Sequence, residues 1–301
     1  MLSKQLNIIV IAFILAVFTS TVAQAKIEIF ACESEWSALV KSLGGRHVKV
    51  YTATTNQQDP HHIQARPSLI AKARQADLLV CTGAELEVGW LPLLLRKSGN
   101  ARIQSGQPGN FMASDYVSLL GKPLVLDRSH GDVHGAGNPH IHLDPERVLL
   151  IAKALSEALI NIDMNNQENY QENLKLFTEN WRNDIKRWRY MAEPLQGQSI
   201  VVHHNSWVYL QQWMGLKQLA SLEPKPGIPP SSTHLSKLLS NAQLSDAYGI
   251  IYASFQNKKA AKWLSGKLGV PSVALDFSPA KGESLSQWYE GLIQELLKVR
   301  N

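Results

Sequence analysis

The sequence has little of what several protein classes require. Its 301 residues include two cysteines and 18% charged residues, so it is neither a small disulfide-stabilised protein nor a typical disordered chain. No run of five or more Lys or Arg residues occurs, and nucleic acid is therefore not an expected partner. The metalloprotease pattern HExxH and the nucleophile elbow of hydrolases are also absent from the sequence. No enzyme class is indicated by motif.

The N-terminus has the pattern of a secretory signal peptide. Lys4 precedes an apolar run from Ile8 to Phe18, and the small-residue site Ala23-Gln24-Ala25 follows. The run is shorter than the roughly 20 apolar residues that a bilayer-spanning helix needs, although an uncleaved anchor helix is the alternative. We expect residues 1–25 to be a signal peptide and the mature protein to be soluble in the periplasm.

Short apolar segments alternate with amphipathic helices, which predicts an α/β fold with parallel sheets. Apolar residues spaced three and four apart predict one long helix from about Asn166 to Met191. We expect an N-terminal lobe at 26–164, a linking helix at 165–192 and a C-terminal lobe at 193–301. The predicted strands are Ile27–Cys32, Val48–Tyr51, Asp77–Cys81, Leu124–Leu126, Ser199–Val202, Gly249–Tyr252 and Ser272–Leu275.

The two cysteines, Cys32 and Cys81, each end a predicted strand. If those strands are neighbours, the sulfurs meet, and an oxidising compartment would allow a disulfide to form. Two buried free thiols are the alternative. Neither cysteine belongs to a CxxC motif, so a redox or thiolate metal site is not indicated.

Histidine is the residue type with an unusual distribution. Eight of the ten histidines fall in three clusters: His61 and His62; His130, His134, His140 and His142; and His203 and His204. Members of each cluster, and also Asp276, follow predicted strands or precede helices. In open α/β sheets this is the edge at which ligands bind. Neutral imidazoles with a carboxylate form a donor set that suits Zn²⁺.

Four segments carry a resemblance to a known family. They are Asp59-Pro60-His61 with Pro67-Ser68, Asn138–Pro145 (NPHIHLDP), His204–Tyr209 (HNSWVY) and Glu223–Pro230 (EPKPGIPP). In this order they resemble the zinc/manganese solute-binding proteins of ABC transporters, over essentially the whole mature chain. The resemblance implies two Rossmann-like lobes joined by one long rigid helix, with a metal site in the cleft between them. It selects His61, His140 and His204 as metal ligands.

The fourth ligand departs from the family pattern. Many relatives place a glutamate after the strand at Gly249–Tyr252, but this chain has Ala253-Ser254-Phe255 there. A second family acid, in a motif like L-D-P, is matched by Asp276, with Phe277 replacing the proline. We expect Asp276 to be the fourth ligand, with water as the alternative if a shift of one residue turns the aspartate outward. The resemblance implies that three-histidine sites favour zinc.

Other polar residues near these segments have weaker expected roles. His130 and His134 lie in the Gly-rich stretch Ser129–Gly137, which resembles a shortened form of the family's His-rich loop; accessory metal capture and an ordinary solvated loop are both open. Glu85 and Glu87 are expected at a transporter-facing surface or at a solvated helix start. The histidines expected to orient the ligands or to pack beside them are His62, His142 and His203.

These features together predict a binding protein. We expect a monomer that captures Zn²⁺ as its transported ligand and delivers it to the membrane permease of an ABC transporter, with a periplasmic metallochaperone as a further candidate partner. The alternatives are a Mn²⁺ or Fe²⁺ binding protein of the same fold, a surface adhesin, and a secreted zinc hydrolase.

Overall fold

The computed structural model describes residues 25–123 and 134–300. The signal-peptide prediction concerns residues that are almost all outside these ranges, and the predicted strand Leu124–Leu126 and His130 also lie outside them. Within the described ranges, no helix combines the length and apolar character that crossing a membrane requires.

The N-terminal lobe is built on a parallel four-stranded sheet with strand order β2-β1-β3-β4. Its strands are β1 (Ile27–Ala31), β2 (Val48–Thr52), β3 (Leu78–Cys81) and β4 (Asn110–Met112). Its helices are α1 (Ser34–Gly44), α2 (Pro67–Gln75), α3 (Leu91–Ser98) and α4 (Pro145–Ile162). Strand β4 was not predicted, because three residues give no recognisable alternation.

The C-terminal lobe repeats this arrangement with strand order β6-β5-β7-β8, again all parallel. Its strands are β5 (Ser199–Val202), β6 (Lys217–Ser221), β7 (Gly249–Ala253) and β8 (Ser272–Leu275). The remaining helices are α5 (Gln167–Ala192), α6 (Val208–Met214), α7 (Ser232–Leu239), α8 (Lys259–Leu268) and α9 (Leu285–Leu297). Strand β6 was missed because it is a partly exposed edge strand with little apolar character.

Helix α5 contacts both lobes along its length. Near its start, the Asn173 side-chain amide donates to the Leu43 carbonyl of the N-terminal lobe at 2.9 Å. Near its end, the Arg187 guanidinium pairs with Glu290 of α9 in the C-terminal lobe at 2.6 Å. Trp188 is buried and stacks on the ring of Tyr289. The predicted fold of two parallel-sheet lobes joined by a long helix is confirmed, whereas the exact lobe boundaries remain predictions.

The two cysteines lie at the ends of neighbouring strands. Strand β1 pairs in parallel with β3, which brings the Cα atoms of Cys32 and Cys81 to 4.8 Å, and the two sulfurs are joined in a disulfide. Both residues are completely buried in the core of the N-terminal lobe.

Candidate metal centre

Three of the expected ligands line one cavity between the lobes. This cavity has a volume of about 100 Å³ and is lined by His61, His140 and His204. Their ring centres are 5.6 Å (His61 to His140), 6.2 Å (His61 to His204) and 6.3 Å (His140 to His204) apart. Since His61 and His140 belong to the N-terminal lobe and His204 follows β5 of the C-terminal lobe, each lobe supplies part of the cluster.

His61 is oriented by the aspartate two residues before it. Asp59 caps the short 3₁₀ turn Pro60–His62, and its Oδ1 accepts the backbone N–H of His61 at 3.0 Å. The same oxygen lies 2.8 Å from Nδ1 of His61. Burial disfavours the charged carboxylate, but hydrogen bonds and the nearby imidazole charge outweigh it and lower the pKa of Asp59. An ionised Asp59 holds the proton on Nδ1 and leaves Nε2 as the donor for a metal.

His204 is oriented in the same way by a glutamate from a distant loop. Its Nδ1 lies 2.6 Å from Oε2 of Glu223, which also accepts the backbone N–H of Gly227 at 2.8 Å. This arrangement again leaves Nε2 free to bind a metal. Glu223 was not assigned a role from the sequence, although it opens the segment EPKPGIPP that carried part of the resemblance.

His140 is the most deeply buried of the three histidines. Its side chain is almost completely enclosed, and its backbone N–H donates to Oδ1 of Asn138 at 3.0 Å. Burial, followed by the neighbouring imidazoles, lowers the pKa of His140 well below its ordinary value. In the described part of the chain its Nδ1 has no hydrogen-bond partner. A neutral, enclosed imidazole with an unsatisfied nitrogen fits a metal ligand.

His134, expected to have at most an accessory role in metal capture, lies beside this cluster. Its Nε2 is 3.2 Å from Nε2 of His61, and the two ring centres are 5.3 Å apart. Two nitrogens bound to one tetrahedral zinc at the usual bond length would be about 3.4 Å apart. The structure therefore places His134 within reach of a metal held by His61.

Asp276 does not join the histidines. Its side chain is exposed and is not part of the cavity wall, whereas the adjacent Phe277 is buried and lines the cavity. The Asp276 carbonyl accepts the indole N–H of Trp288 at 2.8 Å, which fixes this register after the buried end of β8 at Leu275. Asp276 therefore has the outward position that a shift of one residue produces. Phe277, which replaces the proline of the family motif, has the inward position.

Phe277 packs between the site and the core, a role that the sequence did not suggest. Its ring meets those of His140 and His142 edge-on, with centres 5.0 and 5.1 Å apart. Its carbonyl lies 3.0 Å from Nε2 of His142, whose Nδ1 is 3.4 Å from Glu35. His142 is therefore held away from the cavity and links the two lobes behind His140.

The other two neighbouring histidines behave differently from each other. His62 lines the cavity beside His61, and their ring centres are 6.2 Å apart. His203 is buried, with Nε2 3.8 Å from the second carboxylate oxygen of Glu223. Glu223 consequently faces both histidines of the pair that follows β5.

The two glutamates after β3 also differ from each other. Glu85 is exposed, but Glu87 is buried, which corrects its expected place at a surface or a solvated helix start. The Glu87 carboxylate accepts the backbone N–H groups of Thr82 at 2.7 Å and Gly83 at 3.1 Å. Burial raises the pKa of Glu87 to about 7, and burial together with Glu87 and Glu35 raises the pKa of Glu33 well above its ordinary value.

Comparison with known proteins identifies the family whose members this chain resembles. The family model described as zinc-uptake complex component A, periplasmic, matches residues 29–299. The manganese ABC transporter substrate-binding lipoprotein PsaA of Streptococcus pneumoniae is 22% identical over 282 residues, covering 91% of this chain and 88% of that one. The high-affinity zinc uptake system protein ZnuA of Bacillus subtilis (strain 168) is 25% identical over 222 residues, covering 72% of this chain and 68% of that one.

Solved structures share the fold. A zinc-bound ZnuA deletion mutant matches with a TM-score of 0.74 at 21% identity, covering 92% of this chain and 97% of that one. A Mn-bound periplasmic metal-binding protein from Candidatus Liberibacter asiaticus matches with a TM-score of 0.71 at 19% identity, covering 91% and 100%. The family model over residues 29–299 makes the protein a solute-binding transport component and not an enzyme, so the hydrolase alternative falls away. The chain belongs to the ZnuA family of metal-binding components of ABC transporters.

Proposed function

We propose that the protein captures Zn²⁺ outside the cytoplasm through His61, His140 and His204 and delivers it to an ABC permease. The observation that carries this proposal is the pair of carboxylate–imidazole contacts at 2.8 and 2.6 Å, from Asp59 to His61 and from Glu223 to His204. Both contacts fix the proton on Nδ1 and direct Nε2 to the metal, as in many zinc sites. His140 supplies a third, neutral imidazole.

The donor set supports zinc over manganese. Manganese prefers carboxylate, carbonyl and water oxygens, whereas imidazole suits zinc well. In the described chain, Asp59 and Glu223 are the acidic residues of the cavity wall, and each is already engaged by a histidine. We propose His134 as the fourth ligand in place of Asp276, because its Nε2 is 3.2 Å from that of His61.

Delivery follows from the position of the site between the lobes. Substrate-binding components of ABC transporters work with a membrane permease and an ATPase, and the named relatives are components of such systems. Because both lobes contribute ligands, a change in their relative position on docking would separate His204 from His61 and His140. We propose that this separation releases the metal to the permease from the periplasmic side.

Calorimetry on chelator-stripped protein tests the proposed function. We expect one zinc ion per chain to bind tightly, and Mn²⁺ to compete only in large excess. Asp276→Ala, a change at an exposed position, serves as the control and should bind zinc like the unmodified protein. Absence of tight one-to-one zinc binding, or preference for Mn²⁺, would overturn the proposal.

A further inference from the structure

A strained backbone segment lies directly after β3. Three consecutive residues, Gly83, Ala84 and Glu85, have positive φ angles of 78°, 48° and 66°. Glycine adopts this conformation freely, but alanine and glutamate adopt it rarely because their side chains then crowd the backbone. Such conformations persist where the surrounding structure holds them, and they are frequent at ligand sites.

The segment is held at both ends by buried groups. The carboxylate of Glu87 accepts the N–H groups of Thr82 and Gly83, and Leu86 is buried immediately after the strained residues. The Leu86 N–H donates to the Gly83 carbonyl at 3.0 Å, closing the turn. The exposed residue of this turn is Glu85.

Glu85 contacts the backbone beside His134. Its Oε2 accepts the N–H of Gly135 at 2.8 Å. Further along the chain, the N–H of Asn138 donates to the Leu120 carbonyl at 2.7 Å. Asn138 is also tied to the C-terminal lobe, because its side-chain amide donates to the Asn205 carbonyl at 2.9 Å. The Glu85 contact therefore fixes the peptide unit between His134 and Gly135, which precedes Asn138 in the chain.

We propose that Glu85 is a positioning residue that holds His134 against His61 as the fourth zinc ligand. This inference rests on the proposed function. The strained turn makes this positioning possible. Its backbone is held by the Glu87 carboxylate, and it directs the Glu85 carboxylate to the Gly135 N–H. Without that acceptor, the chain around His134 loses a direct tie to the N-terminal lobe, and His134 would occupy the cavity for less of the time.

The proposal separates Glu85 from a residue that merely stabilises a loop. A positioning residue acts through His134, so its effect on zinc binding should vanish once His134 is removed. A residue with a general structural role would weaken binding by the same factor in either background. Glu85→Gln keeps an oxygen acceptor, and Glu172→Ala removes an exposed glutamate from α5, away from the cavity.

The experiment compares five proteins with the unmodified chain: Glu85→Ala, Glu85→Gln, His134→Ala, the double variant Glu85→Ala/His134→Ala, and Glu172→Ala. Zinc affinity is measured by chelator competition, and bound Co²⁺ is followed by its visible absorption, which reports coordination number. We expect Glu85→Ala to lose about tenfold in affinity, as is typical when a contact supporting a ligand is removed, and to shift the Co²⁺ spectrum toward that of His134→Ala. Glu85→Gln and Glu172→Ala should match the unmodified protein, and the double variant should match His134→Ala.

Two results would overturn the inference about Glu85. One is a Glu85→Ala variant with unchanged zinc affinity and Co²⁺ spectrum; the other is an equal loss of affinity in the presence and absence of His134. A folded, unmodified protein that fails to bind zinc would instead contradict the proposed function itself. Circular dichroism of each variant verifies that it is folded before binding is measured.

Discussion

At the scale of single residues, metal binding in the cavity depends on which nitrogen of each imidazole carries the proton. Asp59 and Glu223 each occupy Nδ1 of one histidine, so the direction of the metal-binding nitrogen is set before any metal arrives. The two carboxylates come from different lobes and from unrelated local structures, a 3₁₀ cap and a Pro-rich loop. A carboxylate that contacts Nδ1 therefore orients a histidine on each side of the cleft.

The adjacent histidines 61 and 62 should differ strongly in importance. His61→Ala removes an imidazole that Asp59 aims into the cluster, and we expect a loss of at least 100-fold in zinc affinity. His62 lines the cavity, but the Asp59 contact orients His61 and not His62, and we expect His62→Ala to change affinity less than threefold. Titration of both variants against a zinc chelator checks this, and similar losses would show that the pair has been assigned in the wrong register.

Glu223 should act through its charge. Glu223→Gln keeps an oxygen that can accept the Gly227 N–H but removes the carboxylate facing Nδ1 of His204. We expect a 10- to 100-fold loss of zinc affinity, the usual effect of removing the acceptor behind a ligating histidine. Lys225→Gln in the same loop is the matched comparison and should have little effect. Equal behaviour of the two variants would argue against a role for Glu223 in orienting His204.

At the scale of elements, helix α5 packs against both lobes and thereby couples their positions. One face of the helix is buried at positions including Trp181, Ile185 and Trp188. The indole N–H of Trp181 donates to the Pro145 carbonyl at 2.8 Å, which ties α5 to the start of α4, just after the segment that carries His140. Packing of this helix therefore contributes to the geometry of the metal cavity.

Truncation of Trp188 should destabilise the whole protein. The ring is completely buried between Trp181 and Tyr289, and Trp188→Ala would leave a large cavity costing about 3–5 kcal/mol of unfolding free energy. Tyr190→Ala, two residues further along the same helix, removes a ring that is 78% exposed and should cost little. Urea unfolding of the metal-free proteins measures both changes, and a similar cost for the two would contradict the packing described.

At the scale of the whole molecule, buried acids that follow strands of the N-terminal sheet make stability depend on pH. Glu87 has its pKa raised to about 7 by burial, from an ordinary value of 4.5. The folded protein therefore holds a proton that the unfolded chain releases between these two values. Its contribution to stability is complete below pH 4.5 and is lost as the pH rises through about 7.

The Glu87→Gln variant should remove the part of this dependence that Glu87 supplies. Gln keeps the side-chain oxygen for the Thr82 and Gly83 N–H groups but cannot ionise. We expect the free energy of unfolding of the metal-free protein to fall, between pH 4.5 and 7, more steeply for the unmodified chain than for the variant. Buried His140 acts in the opposite sense, because its lowered pKa favours protonation of the unfolded chain in acid, but it contributes equally to both proteins. Parallel stability curves would show that Glu87 does not titrate as described.

The sequence by itself determined six of the eight observed strands, the long helix and three candidate ligands. The apolar pattern located β5 and β8 to the residue and α5 to within one residue, because side chains buried on one face recur at regular intervals in the sequence. Strand-end positions and the resemblance together selected His61, His140 and His204, which line one cavity.

Only the tertiary structure decided what surrounds those histidines. Glu223 lies 19 residues from His204, and His134 lies 73 residues from His61, so their contacts depend on how distant loops meet and leave no periodic signal. Asp276 was misplaced because a strand continues to alternate past its end, and a shift of one residue exchanges the inward and outward sides. Phe277, and not the aspartate, took the inward position because the core beside Trp207 and His140 accepts an aromatic ring there.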